Sequence, residues 1–132
     1  MLVYKRFLLL AMVIMVTLCA ACTEVERDSY RTLVIAANTY DATMSAVATA
    51  HADGAISTEQ YEKVKVVASV YHGTFHTARL ALESYVSLSE NGTASTSDQE
   101  TLLATLSTMT TRLAELSAYV YEIGVNVSAL TE

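Results

Sequence analysis

The chain contains no proline and only four glycines in its 132 residues. Proline ends or kinks helices and glycine supplies many turns, so a chain with so little of both has few places to turn. Two glycines coincide with other turn-forming residues, Gly54 after Asp53 and Gly92 after Asn91. Both dipeptides suit the left-handed conformation that ends a helix. The sequence therefore predicts a few long elements joined by two short connections.

Apolar residues recur every three or four positions along each of three long segments. The predicted seams are Tyr30, Leu33, Ala37, Tyr40, Met44, Val47 in the first, Tyr61, Val64, Ala68, Tyr71, Phe75, Ala78, Leu82, Tyr85 in the second, and Leu102, Leu106, Met109, Leu113, Leu116, Val120, Ile123, Val127, Leu130 in the third. This rhythm is typical of bundled helices, and short connections make neighbouring helices antiparallel. We expect an all-α fold, an antiparallel up-down-up three-helix bundle, with helices at about 24–52, 57–90 and 97–130.

Each predicted helix begins with a capping-box pattern. The three patterns are Thr23 with Glu26, Ser57 with Gln60, and Ser97 with Glu100. In such a box the first side chain accepts a hydrogen bond from the backbone N–H three residues later, and the later side chain accepts one in return. These patterns predict the three helix starts.

The first 21 residues differ in character from the rest. Lys5 and Arg6 precede an apolar run of 15 residues from Phe7 to Ala21. A basic start, a short apolar core and small residues before a cleavage point are typical of a secretory signal peptide. A membrane-spanning helix needs about 20 apolar residues. We therefore expect a removed signal at 1–21 and a single three-helix domain at 22–132.

The residues Cys19-Ala20-Ala21-Cys22 resemble the lipobox of bacterial lipoproteins, although that family usually has leucine where this chain has Cys19. The resemblance implies that Cys22 receives a diacylglyceryl group and becomes the N-terminus after cleavage. Removal of the signal would take Cys19 with it and leave Cys22 without a second cysteine to pair with. An unpaired cysteine in an exported protein also suggests modification. We expect an exported protein, lipid-anchored to the cell membrane or the outer membrane, with its domain facing the periplasm or the cell exterior. The alternative is an ordinary cleaved signal with an incidental cysteine.

The charge balance limits the partners. The full chain has 8 basic and 14 acidic residues and a net charge of −6, so loss of Lys5 and Arg6 leaves 6 against 14, or −8. Such a domain is repelled by nucleic acid and by anionic lipid headgroups. We therefore expect no nucleic-acid partner, and attachment to the membrane through the acyl chains on Cys22.

Some apolar residues fall outside the seams. Val66 and Val70 of the second segment and Ile35 of the first lie off the predicted core faces, and Tyr119 lies off the third seam among charged residues. Exposed apolar residues that lie together often mark a contact surface, so these four are candidate partner contacts. The alternative is that the neighbouring helices wrap around them, because a core-facing helix carries a broad apolar stripe.

His72 and His76 stand four residues apart on one helix face. Zinc-binding HExxH helices use this spacing, but tight zinc sites need three or four ligands, so a solvated flank is the competing interpretation. We expect no cofactor.

Catalytic motifs are missing from the sequence, including GxSxG and phosphate-cradling glycine loops. We therefore expect no enzyme. The sequence favours a non-enzymatic envelope lipoprotein that acts as a protein-binding or structural module, with an envelope protein as partner. Its layout is similar to that of small lipoproteins of bacteria and their phages, which include envelope-assembly factors and superinfection-exclusion proteins. The alternative is a periplasmic metal-binding or sensor module that uses His72 and His76.

Overall fold

Three helices make up the fold. In this computed structural model the backbone is described for residues 2–127 and the side chains for residues 24–127. The helices are α1 at Leu2–Ala52, α2 at Thr58–Glu90 and α3 at Thr96–Glu122, and the described residues form no strand. The predicted all-α three-helix bundle is thereby confirmed. The predicted signal peptide and the predicted lipidation site Cys22 lie outside the described side chains.

The core consists of two clusters of buried residues. Cluster 1 comprises Leu33, Ala36, Tyr71, Ala78, Leu82, Tyr85, Leu102, Leu106 and Met109. Cluster 2 comprises Ala46, Val47, Ile56, Val64, Ala68, Leu116, Val120 and Val125. Cluster 1 thus joins the earlier core residues of α1 and α3 to the later ones of α2, and cluster 2 joins the opposite parts. These contacts fit the up-down-up order that the short connections predict.

The core face of α1 differs from the predicted seam. Ser29 and Thr43 are buried to 3% and 1% exposure, whereas Tyr30, a predicted core residue, is 66% exposed. Ala36 is likewise buried in place of its neighbour Ala37, which is half-buried. The buried polar side chain of Thr43 is satisfied, because its hydroxyl donates a 2.8 Å hydrogen bond to the Thr39 carbonyl. Small side chains therefore line α1 where it meets the other helices.

All three helices end in the same way. The residues after the caps are glycines with positive φ, Gly54, Gly92 and Gly124. At the end of α3, Gly124 N donates to Tyr121 O at 3.0 Å and Val125 N donates to Val120 O at 3.1 Å. This pair of bonds is the Schellman motif, which satisfies the last carbonyls of a helix. The predicted extension of the third helix to 130 is therefore wrong, because Gly124 turns the chain after Glu122.

The helix starts were predicted with mixed success. Ser57 caps α2 in a complete capping box with Gln60, as predicted. Helix α3 is instead capped by Ser95 with Asp98, two residues before the predicted Ser97. The segment offers two overlapping box patterns, and the chain uses the earlier one. The predicted cap at Thr23 lies outside the described side chains, and α1 begins before it.

Candidate functional site on the outer face of α2 and α3

A second seam runs along the side of α2 that faces away from the core. It consists of Val66, Val70, Gly73, Thr77 and Leu80, which follow one another in steps of four and three. We call these five residues the α2 ridge. Val66, Val70 and Leu80 are 67%, 49% and 47% exposed, and the other two residues are also exposed. The ridge therefore has the spacing of a helix-packing face but is not covered by the rest of the described chain.

Gly73 lies at the middle of the ridge, far from either end of α2. A methyl group added at this position would meet no atom within 4 Å, so no close packing within the described chain requires a glycine here. Glycine inside a helix costs about 1 kcal/mol relative to alanine. The fold of the single chain gives no compensation for this cost.

Beside the ridge, α2 and α3 form a shallow groove of about 390 Å³. Its lining consists of five threonines and one alanine, Thr74, Thr77, Thr101, Ala104, Thr105 and Thr108. Each threonine hydroxyl donates to a backbone carbonyl of its own helix, at 2.8 to 3.1 Å. Because these donors are already used, the groove presents mainly methyl groups. Its chemistry is that of an apolar surface despite its polar residue types.

The same face lacks charge. No Asp, Glu, Lys or Arg occurs in residues 66–78 of α2 or in residues 101–111 of α3, although the chain as a whole carries −6. The charged side chains that border these stretches include four ion pairs within one helix, Glu59–Lys63, Glu62–Lys65, Arg79–Glu83 and Arg112–Glu115, and the exposed Glu100. The groove contacts place the two uncharged stretches side by side. We call this region the neutral band.

Few groups on the surface have a perturbed pKa. A hydrogen bond to Lys63, with its charge, lowers the pKa of Glu59, and the same bond to Glu59 raises the pKa of Lys63. Hydrogen bonds from the Ser95 hydroxyl and backbone lower the pKa of Asp98. These are the ordinary effects of surface ion pairs and of a helix cap. They stabilise the charged forms at the edges of the neutral band and do not indicate acid–base chemistry.

Three of the four predicted contact residues lie on this side of the bundle. Val66 and Val70 belong to the α2 ridge. Tyr119 is half-buried against cluster 2 and lies near enough to Lys63 of α2 to raise that lysine's pKa. Ile35 is 56% exposed but lies elsewhere. It follows Asp28 by seven residues, or about two helical turns, so it shares the face of α1 on which Asp28 lines a groove between α1 and α3. The structure therefore does not bring Ile35 together with the other three.

His72 and His76 are both exposed on α2. The described residues contain no group of three or more His, Cys, Asp or Glu side chains that could hold a metal ion. Glu83, the first acidic residue after His76 on α2, is paired with Arg79 at 3.5 Å. A single chain thus offers zinc two neighbouring imidazoles.

A second apolar surface lies between α1 and α2. This cleft of about 300 Å³ is lined by Tyr30, Leu33, Val34, Ala37, Phe75, Arg79, Leu82 and Glu83. The sequence did not reveal it because Tyr30 was assigned to the core. The threonine groove was also missed, although the 4-3 spacing of Thr101, Thr105 and Thr108 within an uncharged stretch is a readable signal.

Comparison with protein-family models, with curated proteins and with solved structures finds no match to this chain. Among its described residues, no helix combines the length and apolarity needed to cross a bilayer. The functional argument therefore depends on the site itself.

Proposed function

We propose that this chain is a lipid-anchored envelope protein that acts by binding another protein, without catalysis. The observation that carries the proposal is the neutral band, a face without Asp, Glu, Lys or Arg on an acidic bundle. Charged residues are depleted from the cores of protein interfaces, and exposed apolar patches often mark interaction sites. The α2 ridge supplies the exposed apolar side chains, and the threonine groove supplies a shallow surface beside it.

The anchor follows from the lipobox-like residues that end at Cys22. With a net charge of −8 after cleavage, the domain gains no electrostatic attraction to anionic headgroups, so two or more acyl chains would have to hold it. Mass spectrometry of the protein from native membranes tests this directly. We expect a chain that begins at Cys22 and carries the added mass of acyl groups. A chain that retains Met1 to Ala21, or that has an unmodified thiol at position 22, would contradict the anchor.

The binding role is tested separately, by affinity capture from detergent-solubilised envelope. The double variant Val66→Glu, Val70→Glu places two carboxylates on the α2 ridge and substitutes no buried residue. Ile35→Glu is the matched control, because Ile35 is equally exposed but lies towards α3 on the far side of α1. We expect the partner to be lost with the double variant and retained with the control. Equal capture of the partner by the natural chain, the double variant and the control would rule out the ridge as the binding surface.

A further inference from the structure

We infer that the α2 ridge binds the same ridge of a second copy of this chain, with the two α2 helices antiparallel and crossing at Gly73. The inference rests on the proposed binding role, since it names the partner of that surface, but it does not depend on lipidation. It is argued from the shape of the ridge, from its lack of charge and from the charges at its two ends.

The shape of the ridge is close to symmetric about Gly73. Val66 lies seven residues before Gly73 and Leu80 lies seven residues after it, and both side chains are exposed. An antiparallel copy would therefore place each Val66 against Leu80 of the second copy, while the two glycines meet at the crossing. Helix axes come closest where the contact residues are small. A close approach of this kind gives the exposed Gly73 the compensation that the single chain lacks.

The lack of charge decides where two copies can meet. Both molecules are acidic, so they repel one another over most of their surfaces, and burying unpaired charges is strongly unfavourable. The neutral band avoids this penalty, because residues 66–78 and 101–111 carry no Asp, Glu, Lys or Arg. It also presents no fixed charge by which a differently charged partner would be selected. A second copy of the chain carries the same neutral band, so contact between the two bands buries no unpaired charge on either molecule.

The charges at the ends of the ridge favour the antiparallel direction. Lys65 precedes Gly73 by eight residues, and Glu83 follows it by ten. Both lie on the flank of α2 that carries Arg79, since Lys65 is fourteen residues, or about four turns, before Arg79 and Glu83 is paired with it. An antiparallel crossing brings Lys65 near Glu83 of the second copy. A parallel pairing of the ridges would instead place this flank of the two copies on opposite sides of the contact, so that Lys65 could not reach Glu83 of the second copy.

Cysteine cross-linking in the full chain tests both the contact and its direction. Val66→Cys and Leu80→Cys are made separately, with different affinity tags, and the two proteins are produced together, extracted in mild detergent and oxidised. Trypsin cleaves after Lys65 and Arg79, so the two introduced cysteines fall in different peptides, and neither peptide contains Cys22. We expect the disulfide between positions 66 and 80 to dominate. Predominant links of 66 to 66 and 80 to 80 would overturn the antiparallel arrangement.

Two further variants complete the test. Ile35→Cys is the control, because Ile35 is similarly exposed but lies off the ridge. The inference would be overturned if the ridge cysteines gave no more disulfide cross-linking than Ile35→Cys. Gly73→Ala adds one methyl group at the crossing, and we expect it to weaken association roughly tenfold by sedimentation, as overpacking of a close contact does. Unchanged association of Gly73→Ala would exclude the crossing at this residue. Envelope capture that depends on Val66 and Val70 while cross-links are absent would overturn self-association alone and leave the proposed function standing.

Discussion

The ring of Tyr40 in α1 stacks on the ring of Tyr71 in α2, with centroids 4.9 Å apart and planes inclined by 23°. Tyr71 also contacts Phe75, at 6.0 Å between centroids. The Tyr71 side chain is only 1% exposed, and its hydroxyl has no hydrogen-bond partner within the described part of the chain. A buried hydroxyl without a partner costs about 1–3 kcal/mol. The aromatic contacts of Tyr71 therefore stabilise the bundle while its oxygen opposes them.

Replacing Tyr71 by phenylalanine should separate these two effects. Tyr71→Phe keeps the ring contacts and removes the unpartnered oxygen, so we expect the free energy of unfolding to stay the same or to rise by about 1 kcal/mol. Tyr71→Ala removes the ring as well and should cost about 3–5 kcal/mol. Urea denaturation measures both. A clear loss of stability in Tyr71→Phe would show that the hydroxyl is bonded in the folded protein.

Stability should also fall at alkaline pH because of Tyr71. Burial raises its pKa from 10.0 to about 12, with smaller contributions from the nearby Tyr40 and Asp41. The unfolded tyrosine thus loses its proton at lower pH than the folded one. This pKa difference therefore leaves the free energy of unfolding unchanged below about pH 10. It lowers that free energy as the pH rises towards 12, by an amount on the order of 2 kcal/mol. Unfolding curves across this range should fall less steeply for Tyr71→Phe than for the natural chain, and identical slopes would contradict the assignment.

The start of α3 can be tested with a matched pair of serines. The Ser95 hydroxyl accepts a hydrogen bond from Asp98 N at 3.2 Å, and Ser95 N donates to the Asp98 carboxylate at 2.8 Å. Ser95→Ala should therefore cost about 1 kcal/mol. Ser97 lies inside the first turn, so Ser97→Ala should change the stability by less than about 0.5 kcal/mol. Thermal unfolding measures both variants. If Ser97→Ala were the more destabilising substitution, Ser95 would not be the cap of α3.

Two glycines should respond to alanine in opposite directions. Gly124 has φ +89°, a conformation that side chains rarely adopt, so Gly124→Ala should lower the stability by about 1 kcal/mol. Gly73 is helical with open space around it, and in dilute protein Gly73→Ala should raise the stability by about 0.5–1 kcal/mol. The measurement is chemical denaturation below the concentration at which the chain associates. A destabilised Gly73→Ala would mean that the position is packed within one chain.

Zinc binding by the single chain should be weak. His72 and His76 supply two ligands, and no group of three candidate ligands occurs among the described residues. Calorimetry of the dilute full chain should therefore show no saturable heat at micromolar zinc. His72→Ala is the control and should give the same trace. Saturable binding by the dilute chain, abolished in His72→Ala, would favour a metal-binding or sensor function.

The sequence predicted α2 best because its core face is consistently apolar. Val64, Ala68, Tyr71 and Ala78 are buried where the seam placed them, and Val66 and Val70, which lie off the seam, are exposed and not covered by the neighbouring helices. The role of those two valines in binding a partner stays a prediction. Periodicity succeeds here because apolar side chains mark the core face and polar or charged ones mark most of the surface.

The same reasoning failed on α1, where hydrophobicity and burial diverge. Ser29 and Thr43 are buried although they are polar, and Tyr30 is exposed although it is aromatic. Positions one residue apart on a helix differ by about 100°, so choosing Tyr30 over Ser29 rotates that part of the seam away from the true contact. Single-sequence reasoning could not identify these positions because it weighs each residue type and not the space between helices.

The end of α3 was missed for a different reason. Gly124 was treated as an interior glycine, since the apolar rhythm continues past it through Val127. In the structure Val125 is buried in cluster 2 and the seam residue Val127 packs against it, although both follow the helix. An apolar residue just beyond a Schellman glycine packs back on the helix that has ended, and this continues the pattern without continuing the helix.

Tyr40 packs against both core clusters, and no other side chain of residues 24–127 does so. The buried side chains therefore form two groups along the bundle, and the half-buried ring of Tyr40 lies between them. A smaller side chain at position 40 would remove a contact that the two clusters share, so we expect the two ends of the bundle to unfold less cooperatively.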